Sequence, residues 1–212
     1  MSSNPRSQSI FFCFCGPSGS GKTTLTHQLL RSLDHVKLSI STTTRAPRGK
    51  EVDGKDYYFV TTAEFTRRIE AGTFLEHAKY GGNHYGTERS NLTAAETAAC
   101  DLLLDIDLQG VTALKKLYPK QTVTVFVFPP SWAILEQRIR ERGTESSEQI
   151  NKRLQIAAEE VRTLRESSFS DYLLVNENLE SCVSLGRSII EAERNRLSRF
   201  PQSTLSKLVD PK

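Results

Sequence analysis

Gly16-Pro17-Ser18-Gly19-Ser20-Gly21-Lys22-Thr23 fits the pattern G-x-x-x-x-G-K-[ST] and stands between two periodic segments. Before it, residues 10–15 (IFFCFC) form a continuous apolar run of strand length. After it, residues 22–33 carry Leu25, Leu29 and Leu33 on one helical face. Glycines let the backbone turn its N–H groups inward around phosphate oxygens, the helix start adds a positive dipole end, and Lys22 brings a full charge to a transferred phosphate. The Thr23 hydroxyl can ligate magnesium. Strand, glycine loop and helix in this order predict a nucleoside triphosphate site, a feature that switches, transporters and kinases share.

The rest of the chain alternates in the same way. Residues 102–106 are another short apolar run, followed by helical spacing at Val111, Leu114 and Leu117 that Pro119 stops. Residues 123–128 are β-branched and aromatic, residues 172–175 supply a fourth strand, and Leu185 with Ile189 marks a closing helix. Continuous apolar strands alternating with helices predict an α/β fold, three layers around a central parallel sheet covered on both faces. The core is expected over 9–40, 94–130 and 165–196. Two stretches interrupt it. Residues 41–93 read as a small mixed α/β insertion, with one helix introduced by Thr61-x-x-Glu64 and closed at Gly72. Residues 131–164 read as a helical flap broken at Gly143 and restarted by Ser146-x-x-Gln149, with Ile150, Leu154, Ala157, Val161 and Leu164 on one face. The tail, 197–212, has little periodicity and is expected to be poorly ordered.

Composition narrows the setting. At 212 residues the chain suits one domain with insertions, and 28 Lys+Arg against 25 Asp+Glu leave a net charge of +3, too small to prescribe nucleic acid or a membrane as partner. Cys13, Cys15, Cys100 and Cys182 lack both a disulfide framework and paired zinc-ligand spacing, which fits a reducing cytoplasm. Cys13 and Cys15 alternate within an apolar run and read as two core side chains on one strand face. The run at 10–15 is short for a signal segment, and no stretch reaches the roughly 18 apolar residues of a membrane span.

Asp105 and Asp107 close the run at 102–106. Two apart, they are expected to point the same way at a strand's C-terminal end, where a carboxylate suits magnesium or a ligand donor. The alternative is that one of them caps the next helix. His27, His35, His77 and His84 show no metal or triad spacing.

From about residue 11 to residue 196, the blocks GPSGSGKTTL, STTTRAPRGKEVDGKDYYF, FLEHAKYGGNHYGT, LLLDIDLQG and RGTESSEQINKRL resemble, in order, the signature blocks of the guanylate kinase family, bacterial-type P-loop nucleoside monophosphate kinases. The resemblance implies magnesium-dependent transfer of the ATP γ-phosphate to GMP, in purine nucleotide metabolism and GMP recycling. It also implies that the insertion at 41–93 holds GMP and that the flap at 131–164 is a lid. ATP would lie on Gly16, Pro17, Ser18, Gly19, Ser20, Gly21, Lys22, Thr23 and Thr24, with Asn176 near its adenine. Arg45, Arg48, Tyr57 and Tyr85 would hold the GMP phosphate, while Ser41, Glu76 and Thr87 would read guanine. Asp105 and Asp107 fall in LLLDIDLQG, where a magnesium role through water and a guanine-side role are not separated. Lys22, Arg45 and the lid arginines Arg138, Arg142 and Arg153 would stabilise the moving phosphoryl group.

The residue chemistry agrees with that scheme. A phosphate acceptor is already an oxyanion, so the site needs charge and alignment rather than a general base. Guanine's ring N–H and amine ask for a carboxylate and hydroxyls. Seven Lys/Arg and six Glu lie between Glu136 and Arg165, so that stretch on its own is no basic patch. Two other readings stand beside this one: a non-catalytic module gripping a phosphopeptide in the acceptor pocket, and a small P-loop kinase for another phosphorylated acceptor. Lys22, the lid arginines and the acceptor-site residues, all present, speak against the first, and Glu76 with Ser41 separates the second from a GMP kinase.

Overall fold

Every residue of strand β1 (Phe11–Cys15) is buried, because each of its faces meets a separate core. Phe12 and Phe14 pack with Leu25, Leu29, Val125 and Ile190; Phe11, Cys13 and Cys15 pack with Leu75, Leu104, Val111 and Phe126 on the other side. Full burial contributes about 1.5–3 kcal/mol for each phenylalanine. The computed structural model describes residues 8–141, 146–166 and 169–209. Beyond the glycine loop, α1 (Lys22–Ser32) buries Leu25 and Leu29, as the spacing predicts. Strand β2 (Val36–Leu38) follows; its three partly exposed residues are too few to carry a period.

The insertion contains β3 (Thr42–Thr43), β4 (Tyr58–Phe59), α2 (Thr62–Glu70), β5 (Phe74–Tyr80), β6 (Asn83–Glu88) and α3 (Arg89–Thr97). Thr61 caps α2 by accepting the Glu64 N–H, and Gly72 leaves that helix at φ 65. Residue 93 falls inside α3, so the insertion passes into the core through a continuous helix. The core resumes with β7 (Asp101–Asp105), α4 (Leu108–Leu117) and β8 (Thr122–Phe128). The flap is α5 (Trp132–Arg140) and the long α6 (Ser147–Glu166). Ser146 and Gln149 form the reciprocal cap of α6: the Gln149 side chain accepts the Ser146 N–H at 2.9 Å, and Ser146 Oγ accepts the Gln149 N–H at 3.3 Å. Its apolar face divides its work. Ile150, Leu154 and Ala157 cluster with Leu135 and Ile139 of α5, whereas Val161 and Leu164 join the core under β1. The end of α6 therefore belongs to the core and its beginning to the flap.

Then come β9 (Tyr172–Val175), α7 (Leu179–Arg194) and, after a 3-10 turn at Leu197–Arg199, α8 (Gln202–Val209). Residues 197–209 thus carry a 3-10 turn and a helix where the sequence shows little periodicity. Arg199 anchors it by donating to Glu193 Oε2 at 2.5 Å and to the Lys120 carbonyl at 2.9 Å.

The main sheet runs β2-β7-β1-β8-β9 with all four pairings parallel, and the insertion sheet runs β4-β3-β6-β5. Phe14 lies opposite Asp105, which sets the glycine loop beside the C-terminal end of β7. That edge of an open parallel sheet is where such folds bind ligands. In the second sheet Glu76 pairs with Thr87, and Thr43 with Tyr85. Among the described residues no helix is long and apolar enough to cross a membrane.

Candidate active site

The glycine loop is shaped by what stands behind it. Gly16 has φ 122, and a Cβ there would lie 2.3 Å from the Val127 carbonyl oxygen; Gly21 has φ 93, and a Cβ there would lie 2.2 Å from Asn176 Nδ2. Both positions demand glycine by conformation and by space. Lys22 Nζ donates to the carbonyls of Gly16 at 2.6 Å and Pro17 at 3.1 Å and stands 4.0 Å from Asp105 Oδ1. Thr23 Oγ1 donates to Asp105 Oδ2 at 2.6 Å. A hydroxyl and a carboxylate oxygen so placed are hard donors of the type magnesium prefers. Among the described residues no cluster of three His, Cys, Asp or Glu could hold a metal by itself.

The two aspartates separate. β7 ends at Asp105, so the expected strand alternation does not reach Asp107, which instead caps α4 by accepting the Gly110 N–H at 2.9 Å. Burial pushes the Asp107 carboxyl up from its ordinary value.

Across a cleft of about 520 Å³, β5 and β6 face the glycine loop. Glu76 is largely buried, and burial pushes its carboxyl up to about 7, with Thr87 working in the opposite direction. A Cβ on Gly110 would meet Glu76 Oε2 at 3.0 Å, so the glycine lets the carboxylate approach the first turn of α4. Arg45, 8% exposed, lies 5.3 Å above the Tyr57 ring, and Nη2 donates to Glu51 Oε1 at 2.9 Å. Glu51 Oε2 also accepts the Arg48 N–H at 2.7 Å. Tyr57 and Tyr85 pack edge to face at 6.1 Å.

A sequence model described as guanylate kinase matches residues 10–193. The chain is 45% identical over 188 residues to the guanylate kinase of Thermotoga maritima, covering 89% of each protein. It is 45% identical over 192 residues to that of Desulfitobacterium hafniense, covering 91% of this chain and 94% of the relative. This chain belongs to the guanylate kinase family. The crystal structure of guanylate kinase from Anaplasma phagocytophilum superimposes with a TM-score of 0.74 at 32% identity over 93% of both chains.

Most residues singled out by the guanylate kinase resemblance line the one cleft: Gly16, Ser18, Gly19, Gly21, Lys22, Thr23 and Thr24 on one side, Ser41, Arg45, Arg48, Tyr57, Glu76 and Tyr85 on the other, with Asp105, Asp107 and Arg153 between. Pro17, Ser20, Thr87, Asn176 and Arg138 do not line it. Ser20 and Thr87 are fully buried. Asn176 is also buried, and its Nδ2 donates to the Ser20 carbonyl at 2.8 Å, so it braces the phosphate loop from behind. Arg138 Nη2 donates to the Asn176 carbonyl at 3.2 Å. Arg142, like the break at Gly143, lies outside the described residues.

Two residues that line the cleft of this guanylate kinase family chain, Glu51 and Tyr80, and one that does not, Glu160, escaped the sequence reading. Glu51 ties Arg45 and the Arg48 backbone together; its spacing of three from Arg48 in RGKE was the available signal. Tyr80 lines the cleft from the end of β5. Glu160 is 6% exposed on α6, where burial pushes its carboxyl up to about 7 against the pull of Lys22. The pair Glu159-Glu160 reads as ordinary helix charge until the fold shows which of the two turns inward.

Proposed function

We propose that this chain transfers the γ-phosphoryl group of ATP to GMP, giving ADP and GDP, at the cleft between the phosphate loop and the insertion. The observation that carries the reading is one cavity shared by Lys22, the Arg45–Arg48 pair and the half-buried Glu76. ATP phosphates enter the cradle of Gly16–Thr24 N–H groups, where Lys22 exchanges its carbonyl partners for phosphate oxygens. Arg45 and Arg48, oriented by Glu51, take the GMP phosphate, and the Tyr57 and Tyr85 hydroxyls donate to it without adding charge. Glu76 and Ser41, which precedes β3, accept from the guanine donors, with Thr87 paired beside Glu76 on β6. The GMP phosphate is its own nucleophile, so the residues align and neutralise while the flap at 131–164 excludes water and brings Arg153 over the phosphates.

Thr23 and, through water, Asp105 are the residues suited to hold Mg2+, which would neutralise the β- and γ-phosphate charge. Asp107 serves the α4 cap and the guanine side. Asn176 contributes to ATP binding through the loop it braces, and Arg138 through Asn176. The four cysteines are free thiols, three of them buried, which suits the cytoplasm, where ATP and GMP are found. No nucleic-acid partner is proposed on a net charge of +3.

The test is ADP release from ATP and magnesium with GMP, AMP, CMP, UMP and dTMP offered separately. Turnover with GMP alone supports the reading. Turnover of another monophosphate refutes the guanine site, and nucleotide binding without any turnover moves the chain to the phosphopeptide-module reading.

A further inference from the structure

Two buried polar atoms in this molecule have complementary deficits. Tyr80 Oη, at the end of β5, and Glu160 Oε2, on α6, are both shut off from solvent without a hydrogen-bond partner among the described residues. Burial and the Glu160 charge push the Tyr80 phenol up, while the Ser18 amide works in the opposite direction. An amide N–H can only donate, so the phenol proton still has no acceptor, while Glu160 Oε2 is an acceptor without a donor.

Their surroundings place them at the meeting point of three parts. Tyr80 belongs to the insertion, Ser18 to the phosphate loop and Glu160 to the helix that runs from flap to core. Next to Tyr80, the Arg153 guanidinium passes 3.9 Å from where a Cβ would stand on Gly81. Arg153 and Glu160 are seven residues apart, two turns along one face of α6. Burying a donor and an acceptor unpaired is costly, and closing the gap between them removes both deficits at once.

We propose that Tyr80 and Glu160 form a latch: when both nucleotides fill the cleft, Tyr80 Oη donates to the Glu160 carboxylate and locks the β5–β6 turn onto α6, which holds Arg153 over the phosphates. Both are positioning residues, acting through α6 and Arg153. The inference rests on the reading of the cleft as an ATP:GMP phosphotransferase site. It adds a pair that acts only in the ternary complex, so binding of either nucleotide alone does not depend on it.

The experiment is a double-mutant cycle with Y80F, E160Q and the combined variant. It measures steady-state kcat and KM for both nucleotides, calorimetric Kd for each nucleotide separately, and Tm. A latch predicts that Y80F lowers kcat about tenfold and that E160Q, whose neutral amide oxygen is a weaker acceptor than the carboxylate, lowers it by less, with each binary Kd within about twofold of the parent. It also predicts a combined variant no slower than Y80F, because the Tyr80 change has already removed the bond that E160Q weakens. An unchanged kcat in Y80F overturns the latch, whatever the Tm. So do losses that multiply in the combined variant, and so does a raised KM at constant kcat. Y80F removes a single oxygen and decides the matter alone should E160Q fold poorly. Failure of the phosphotransferase reading is distinct: the parent protein itself would not phosphorylate GMP.

Discussion

At the scale of single residues, Glu76 is the proposed reader of guanine, and its environment makes that reading depend on pH. Its carboxyl sits against the first turn of α4, where burial raises it to about 7. A protonated carboxyl offers one acceptor oxygen and a competing donor, whereas the carboxylate offers two acceptors to guanine's two donors. GMP binding therefore strengthens as pH rises from 6 to 8 and levels off above that. The phosphate of GMP also ionises near pH 6, about where phosphate monoesters do, so the comparison with E76Q isolates the side-chain contribution. E76Q is expected to raise the GMP Kd about 100-fold, to leave ATP binding within about twofold and to flatten the pH profile above 7. Calorimetry across that range measures all three, and equal weakening of both nucleotides would remove Glu76 from base recognition.

At the scale of elements, the phosphate loop is held from behind by the end of β9. Asn176 Nδ2 meets the Ser20 carbonyl, and the room for that contact exists only because residue 21 lacks a side chain. N176A leaves the carbonyl buried without its donor, at a cost of about 1–3 kcal/mol, and frees the loop to sample shapes that no longer match a triphosphate. The expected result is an ATP Kd raised about tenfold with GMP binding intact; equal affinity for ATP would show the loop to be rigid without its brace. This contact also marks where the sequence stopped being legible. Lys22, the flanking periods, both helix caps and the four long core strands could be read because each is a local pattern. β2 was not, because Val36–Leu38 is too short for a period and half exposed. The Asn176 contact with Ser20 spans 156 positions, so no local pattern announces it. The aspartates show the boundary: alternation places Asp105 correctly but fails at Asp107, because β7 ends between them and the chain turns to cap α4. Helix α8 escaped the reading because its anchor, Arg199 on Glu193, joins the tail to another helix rather than to a face of its own.

At the scale of the whole molecule, three parts converge on one cleft, and the convergence buries carboxyl groups without full pairing. Glu76 and Glu160 both rise from 4.5 to about 7, and Asp107 shifts in the same direction. Below pH 4.5 folded and unfolded chains both hold these protons. Between 4.5 and about 7 the unfolded chain releases them while the folded chain keeps them, so stability falls as pH rises; above about 7 both forms are ionised and the loss is complete. The ligand-free protein should therefore melt about 10 °C lower at pH 8 than at pH 5.5, from roughly 4 kcal/mol lost across Glu76 and Glu160 at roughly 2–4 °C per kcal/mol for a chain of this size. Glu64, held near 2 by its bonds to Arg67 and Arg68, titrates below this window and does not obscure it. E160Q replaces one buried acid with a neutral group of the same shape, so its advantage in Tm over the parent should grow by about 5 °C between pH 5.5 and pH 8. A lower Tm at pH 8 would mean that Glu160 already has its partner in the open form. A variant that is more stable yet slower is the combination a latch requires, since the open protein then carries an unpaired acid whose acceptor is needed only when the cleft closes. Scanning calorimetry of E160Q at the two pH values, set beside its kcat, separates that case from a carboxylate kept for folding, which would lower Tm and leave kcat unchanged.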